Sequence, residues 1–128
     1  MNRWILVGAA SGFFTVAFGA FGAHALSQHL SQKGLQIYQT AVQYQMFHSL
    51  ALIGFGLWAS QNSTIQGFPA LAGWFFASGI LLFSGSLYAL AITEIRTLGM
   101  ITPIGGLFFL AGWIAFGAGA WISGKSGT

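Results

Sequence analysis

Six polar side chains stand out because they lie within or beside long apolar stretches of the chain. They are His24, Gln43, Tyr44, His48, Ser84 and Tyr88. Tyr44 and His48 are four residues apart, as are Ser84 and Tyr88, so each pair would share one face of a helix. Polar groups inside a membrane usually face the protein interior and often mark function. The six side chains are therefore a candidate polar site.

The residue types allow three uses of this cluster. The first is hydrogen bonding between helices, which in membranes fixes geometry more than stability. The second is a site for a polar ligand, an ion or a proton, because histidine titrates near neutral pH. The third is a metal held by His24 and His48, but the sequence offers no third ligand beside them. We therefore expect no metal and no cofactor, while the first two uses stay open.

Catalysis has little support in the sequence. Glu94 is the only acidic residue and there is no cysteine, whereas general acid–base chemistry usually recruits carboxylates, histidines or lysines as partners. Glu94 lies beside Arg96, and this pair is interpreted as an exposed ion pair. No nucleophile–base spacing, phosphate loop or dinucleotide fingerprint is present. We expect no catalytic residue and no enzyme activity.

The composition places the chain in a membrane. Of its 128 residues, 55% are apolar and only 4% are charged, against about 25% charged in ordinary soluble domains. A small soluble protein leaves much of its surface in water and could not hide so much apolar area. The four cations, Arg3, Lys33, Arg96 and Lys125, form no basic patch of the kind that binds nucleic acid. The expected partner is the lipid bilayer.

Charged and polar residues divide the chain into four apolar runs. They cover residues 4–23, 40–60, 69–93 and 102–123. Each is long enough for a helix to cross the hydrocarbon core, which takes about 20 residues. Such runs must be helical, since the backbone has to satisfy its own hydrogen bonds in lipid. The sequence thus predicts an all-α integral membrane protein, with residues 1–128 forming one four-span domain. Residues 25–39 predict a polar interfacial segment, helical but broken at Gly34.

Small residues recur on one face of three predicted helices. The glycines expected at helix contacts are Gly8, Gly12, Gly19, Gly85, Gly105, Gly112 and Gly119. Together with Thr15 and Gly22 on the first helix, their spacings of three, four and seven residues keep them aligned on a helix. Small residues allow helix backbones to approach closely in lipid. The stripes predict a tight bundle, and they would serve equally for contacts within one chain and for a homo-oligomer.

Four motifs carry a resemblance to a known family. They are GAFGAHAL at 19–26, YQTAVQYQMFH at 38–48, LFSGSLY at 82–88 and ITPIGG at 101–106. Together they make the chain similar to the YgdD/YwdK-like small inner-membrane proteins, the family of domain of unknown function 423. The resemblance covers nearly the whole chain. It implies a four-helix protein of the bacterial inner membrane, and it implies no reaction.

The expected function is assembly or binding within the membrane through helix packing. The alternative is a transporter or channel component that uses the polar cluster. Arg3 directly precedes the first helix, which usually dominates orientation, so the termini are expected to face the cytoplasm. Two cations lie on each side of the predicted bundle. The number of positive charges on the two sides therefore gives little indication of the membrane orientation.

Overall fold

The computed structural model describes residues 2–126, and these form four long helices. The helices are α1 (Arg3–Leu26), α2 (Gln32–Ser60), α3 (Phe68–Thr93) and α4 (Thr102–Ser126). A short 3-10 turn (Phe68–Leu71) opens α3, and another (Arg96–Met100) precedes α4. The expected all-helical class is confirmed.

Three of the four helices suit a membrane by length and composition. They are α1, α3 and the segment Arg96–Lys125, which contains most of α4. Helix α2 is 29 residues long, but Gln43, Gln45 and His48 lower its hydropathy. This helix therefore differs from the others in composition rather than in length.

The connection between α1 and α2 is shorter than the sequence predicts. Helix α1 continues to Leu26 and α2 already begins at Gln32, so the polar residues there belong mostly to helix ends. The expected break at Gly34 is wrong. The Ser31 hydroxyl caps α2 by accepting the Gly34 N–H at 2.9 Å. Gly34 is buried, and a Cβ there would lie 3.3 Å from the Ala91 carbonyl oxygen. This glycine gives space for α3 to approach; it does not interrupt the helix.

The helices pack in chain order. Helix α1 lies along α2, α2 lies along α3, and α4 lies along α3. A cluster of buried aromatic and aliphatic side chains joins all four; it includes Trp4, Leu52, Phe55, Phe76 and Phe109. Two helices contain a π-helical segment, at Ala17–Gly22 in α1 and at Ile80–Ser84 in α3. Such segments shift the side chains that follow them around the helix axis.

Several of the predicted glycines lie where another helix comes close. A Cβ on Gly8 would lie 2.8 Å from the Ser49 carbonyl oxygen. A Cβ on Gly105 would collide with the backbone of Phe83. The remaining close approaches are of Gly19 to Val42, of Gly112 to Phe76, and of Gly119 to Trp58 and Pro69.

Two of the predicted glycines do not lie at such a contact. A Cβ on Gly12 or Gly85 would meet nothing within 4 Å, so the expectation that they pack against another helix of this chain is corrected. On α1 the inward stripe runs through Gly8, Ser11 and Thr15, and it passes beside Gly12. On α3 the π-helical segment ends just before Gly85 and turns this residue to the exposed side.

A matched pair of substitutions tests this assignment. Gly8→Ala should lower the free energy of unfolding by about 1–3 kcal/mol, since the new methyl group overpacks the contact with α2. Gly12→Ala should be neutral or stabilising by up to about 1 kcal/mol, because alanine favours the helix. Unfolding in mixed detergent micelles, followed by circular dichroism, measures both. Equal effects of the two changes would contradict the placement of α1 on α2.

Candidate functional site

Gln45 is the centre of a buried hydrogen-bond network that joins three helices. Its Nε2 donates to the Ser11 carbonyl oxygen of α1 at 3.1 Å. Its Oε1 accepts the Tyr88 hydroxyl of α3 at 2.6 Å. The Ser49 hydroxyl lies 2.7 Å from that of Ser11 and also donates to the Gln45 carbonyl at 2.6 Å. The network thus uses both ends of the Gln45 amide, each on a different neighbouring helix.

Other buried hydroxyls bond to backbone carbonyls or to each other across helices. Ser84 donates to the Ala41 carbonyl at 2.8 Å, and Tyr38 donates to the Phe18 carbonyl at 2.7 Å, inside the π-helical segment of α1. In the described part of the chain, no buried side-chain nitrogen or oxygen lacks a partner. The buried polar groups therefore have hydrogen-bond partners within the chain, and several of these bonds join different helices.

His48 is held on both ring nitrogens. Its Nδ1 lies 2.8 Å from the Tyr44 carbonyl oxygen, and its Nε2 lies 3.1 Å from Nε1 of Trp113 on α4. The indole N–H is only a donor and the carbonyl is only an acceptor. The ring must therefore carry its hydrogen on Nδ1 and a lone pair on Nε2. This geometry requires a neutral imidazole, because a second ring hydrogen would face the indole N–H.

Aromatic rings fix the plane of His48. Phe109 stacks on it with ring centroids 3.5 Å apart and planes 9° from parallel. The partner across the helices is thus Trp113. His24 and Ser84, which the sequence groups with His48 in one candidate site, do not contact it, because Ser84 bonds to Ala41 and His24 lies exposed near the end of α1.

The structure divides the predicted polar site into three parts. Gln43, Tyr44 and His48 lie together at one cavity. Ser84 and Tyr88 instead bond to other residues of α2, as described above. The His24 side chain has no hydrogen-bond or ring partner among residues 2–126. The six side chains therefore do not form one site.

The predicted site leaves out Gln45 and Ser49, which lie at the centre of the network, as well as Ser11, Phe109 and Trp113. Ser11 was overlooked because it is a small residue in an apolar run, although its position, three residues after Gly8 and four before Thr15, marks the buried stripe of α1. Phe109 and Trp113 are four residues apart on α4, but nothing distinguishes them from other aromatic residues that face lipid. Only the packing of α4 shows that they meet His48.

An aromatic groove lies next to His48. It is a cavity of about 560 Å³ between α2, α3 and α4. Its lining consists of Gln43, Tyr44, Phe47, His48, Phe83, Gly106, Phe109, Leu110 and Trp113. Tyr44, Phe47 and Leu110 are exposed at its outer edge, so the groove opens on the side of the bundle. Gln43 is the one lining residue with a side-chain amide, and it is also exposed.

The described residues contain no group of three or more histidine, cysteine, aspartate or glutamate side chains that could hold a metal ion. The lone pair of His48 Nε2 already accepts the Trp113 N–H. The groove can therefore offer apolar contact and aromatic faces, but no set of metal ligands.

Comparison with known proteins gives consistent matches over the chain. The family model described as "Protein of unknown function (DUF423)" matches residues 18–106. The chain is 46% identical over 114 residues to the UPF0382 membrane protein YwdK of Bacillus subtilis, covering 89% of this chain and 92% of that one. It is 42% identical over 120 residues to the UPF0382 inner membrane protein YgdD of Escherichia coli, covering 93% and 90%. No solved structure matches.

The network around Gln45 makes a direct prediction about stability. Gln45→Leu should lower the free energy of unfolding by about 1–3 kcal/mol, because it leaves the Tyr88 hydroxyl buried without its acceptor. Gln43→Leu is the matched control, since the same change two residues earlier falls on an exposed side chain and should have little effect. Detergent unfolding of both variants decides the matter. A loss with Gln43→Leu as large as that with Gln45→Leu would contradict the structural role of the network.

Proposed function

The chain belongs to the DUF423 family of membrane proteins of unknown function, and from this premise we propose that it is a four-span binding protein of the membrane. Helix α2 would be the additional span. Its 29 residues extend about 43 Å at about 1.5 Å per residue, more than the hydrocarbon core of about 30 Å. Its polar residues Gln45 and Ser49 bond inside the bundle, which offsets the cost of placing them in lipid.

The aromatic groove carries the proposal. It is a lateral cavity at the level of His48, well inside α2, and its walls are almost entirely aromatic and aliphatic. Pockets of this kind bind through apolar contact, with few polar groups to fix orientation. A groove that opens sideways from a membrane bundle is accessible to molecules dissolved in the bilayer. We assign it an apolar chain from the membrane as its occupant.

The helices that line this groove are held in place by close packing. Gly105 lies against the backbone of Phe83, and Gly112 lies against the ring of Phe76. These contacts hold α4 on α3, and with it the groove residues Phe109 and Trp113. Small residues that allow such approach are typical of tight membrane bundles.

Transport through the polar cluster receives less support than binding. A proton or ion path needs groups that can exchange partners or change charge. Gln45 bonds to Ser11 and Tyr88, and Ser49 bonds to Ser11 and to the Gln45 carbonyl. His48 is fixed in one neutral form by its two partners. Catalysis has still less support, because the groove combines one neutral histidine with no carboxylate or nucleophile. We therefore propose no enzyme activity.

The proposed location is the inner (plasma) membrane of a bacterium, with both termini in the cytoplasm. The named relatives are bacterial membrane proteins, and the one from Escherichia coli is named an inner membrane protein. Arg3 is the first residue of α1, and the first helix usually dominates orientation. A C-terminal fusion to an enzyme that works only outside the cytoplasm should stay inactive, and an active fusion would reverse the orientation.

Filling the groove tests the proposed function. A Cβ on Gly106 would lie 3.8 Å from the Phe83 ring, in ordinary contact, so Gly106→Leu can occupy the cavity without displacing backbone. The probe is a phospholipid with a photoreactive group in the middle of one acyl chain, and crosslinked peptides are identified by mass spectrometry. Crosslinks should concentrate on Tyr44, Phe47 and Trp113. Gly106→Leu should reduce them about tenfold, equivalent to about 1.4 kcal/mol.

Gly117→Leu is the control for this experiment. It is the same change on the same helix, at a position where an added Cβ would meet no neighbouring group within 4 Å. It should leave the crosslinks unchanged. Crosslinks spread evenly over the lipid-facing surface, or equal yields from both variants, would contradict a chain bound in the groove.

A further inference from the structure

A second cavity lies at the end of the bundle where α2 and α4 begin. It has a volume of about 610 Å³. Its lining consists of Ser31, Lys33, Gly34, Ile37, Leu90, Ala91, Glu94 and Arg96; we call it the charged cleft. It contains two of the four cations of the chain and its only carboxylate. The remaining lining is largely apolar, so the cleft combines a charged rim with a hydrocarbon-like wall.

The three charges of the cleft are not paired with one another. Lys33, Glu94 and Arg96 are exposed, and their side chains have no hydrogen bond or ion pair within residues 2–126. Because these opposite charges line one cavity without bonding to each other, the two cations and the carboxylate are all available to a ligand. The arrangement of two positive groups and one negative group matches a ligand that carries both a phosphate and an ammonium group.

The backbone at Glu94 gives an independent reason to assign its side chain a role. Glu94 ends α3 in the left-handed conformation, with φ 59° and ψ 19°. It is the only non-glycine residue with positive φ among the described residues. Glycine is the usual residue at this position after a helix, because any Cβ there is disfavoured. A glutamate at this point places a carboxylate at the cleft at some conformational cost.

The charged cleft and the aromatic groove lie on the same face of α2. Ile37 lines the cleft and Tyr44 lines the groove, and residues seven apart fall almost directly above one another on a helix. Their separation is about 10 Å along the axis. On α3, Leu90 lines the cleft and Phe83 lines the groove. One amphipathic molecule could therefore place its head in the cleft and a chain in the groove.

We propose that the charged cleft binds the phosphate–ammonium headgroup of an aminophospholipid, with Lys33 and Arg96 on the phosphate and Glu94 on the ammonium group. This assignment rests on the proposed function, because it takes the chain in the groove as part of the same molecule. The lipid is favoured over a soluble phosphate compound by the position of the cleft at the end of the membrane helices and by its apolar wall of Ile37, Leu90 and Ala91.

The test uses the purified protein in vesicles of equal parts phosphatidylethanolamine and phosphatidylglycerol. The protein is extracted in mild detergent, and the lipids that remain bound are counted by mass spectrometry. The wild type should retain phosphatidylethanolamine in excess. Lys33→Gln combined with Arg96→Gln should reduce retention of both lipids, by about fivefold for each cation removed. Lys125→Gln, at the opposite end of the bundle, is the control and should change nothing.

Glu94→Gln is the decisive variant, because it keeps the side-chain shape and the backbone conformation. It should reverse the preference, lowering phosphatidylethanolamine and raising phosphatidylglycerol, since the ammonium partner is lost while both cations remain. Equal retention of the two lipids by the wild type, or an unchanged preference in Glu94→Gln, would overturn the headgroup assignment. The melting temperature without added lipid should match the wild type and exclude misfolding as the cause.

Two further arms separate this proposal from its alternatives. Free phosphoethanolamine should not displace the lipid, and efficient displacement would identify a soluble ligand and overturn the lipid assignment. Gly106→Leu distinguishes the failure of the two proposals. If the headgroup assignment alone is wrong, crosslinks in the groove persist without lipid preference; if the groove assignment is wrong, the preference persists in Gly106→Leu.

Discussion

A buried amide in hydrocarbon has no water to bond with, and this constraint determines how the bundle is assembled. Gln45 lies in the middle of α2 and is buried. Its amide finds an acceptor on α1 and a donor on α3, so both ends of the amide are satisfied only when both neighbouring helices are in place. The least apolar helix therefore lies between two others, α1 and α3. Its polarity would be a cost in isolation and becomes a source of specific geometry in the bundle.

The fourth helix is attached by a different interaction. Helix α4 meets α3 through glycines that admit backbone or aromatic rings, as Gly105 does for Phe83 and Gly112 for Phe76. It reaches α2 through aromatic packing and one hydrogen bond, from Trp113 to His48. The aromatic groove lies where this looser contact leaves space between α2 and α4. Residues of α2 together with Phe83 of α3 form one wall of the groove, and residues of α4 form the other.

The sequence predicts the helical class and the family because hydropathy and motifs are properties of single segments. It predicts contacts less well, because these depend on how each helix is rotated. Gly8 and Gly12 look equivalent by spacing, yet only Gly8 meets α2, since the stripe runs through Ser11. Gly85 was misplaced because the preceding π-helical segment changes the helical phase, and no residue pattern announced it.

The candidate site could likewise be predicted within one helix but not between helices. Tyr44 and His48 share a face, as their spacing requires, and the chemistry of a neutral imidazole follows from burial. The identity of its partner does not follow, because Trp113 is distant in sequence and is one of several aromatic residues on α4. The sequence did not predict that Lys33 lies at one cleft with Glu94 and Arg96. The interpretation of Glu94 and Arg96 as an ion pair is not supported, because neither side chain has an ion-pair partner among the described residues.

The buried polar groups of the described bundle have their hydrogen-bond partners within the protein, and His48 in particular is fixed by two of them. Nitrogen-15 NMR of the imidazole of His48 tests this most directly, with His24→Gln and His29→Gln so that His48 is the one remaining histidine. The account predicts a single neutral form, with the hydrogen on Nδ1 and a lone pair on Nε2, over the whole pH range in which the protein stays folded. Protonation of His48 to imidazolium in the intact bundle, or a mixture of the two neutral forms, would contradict it.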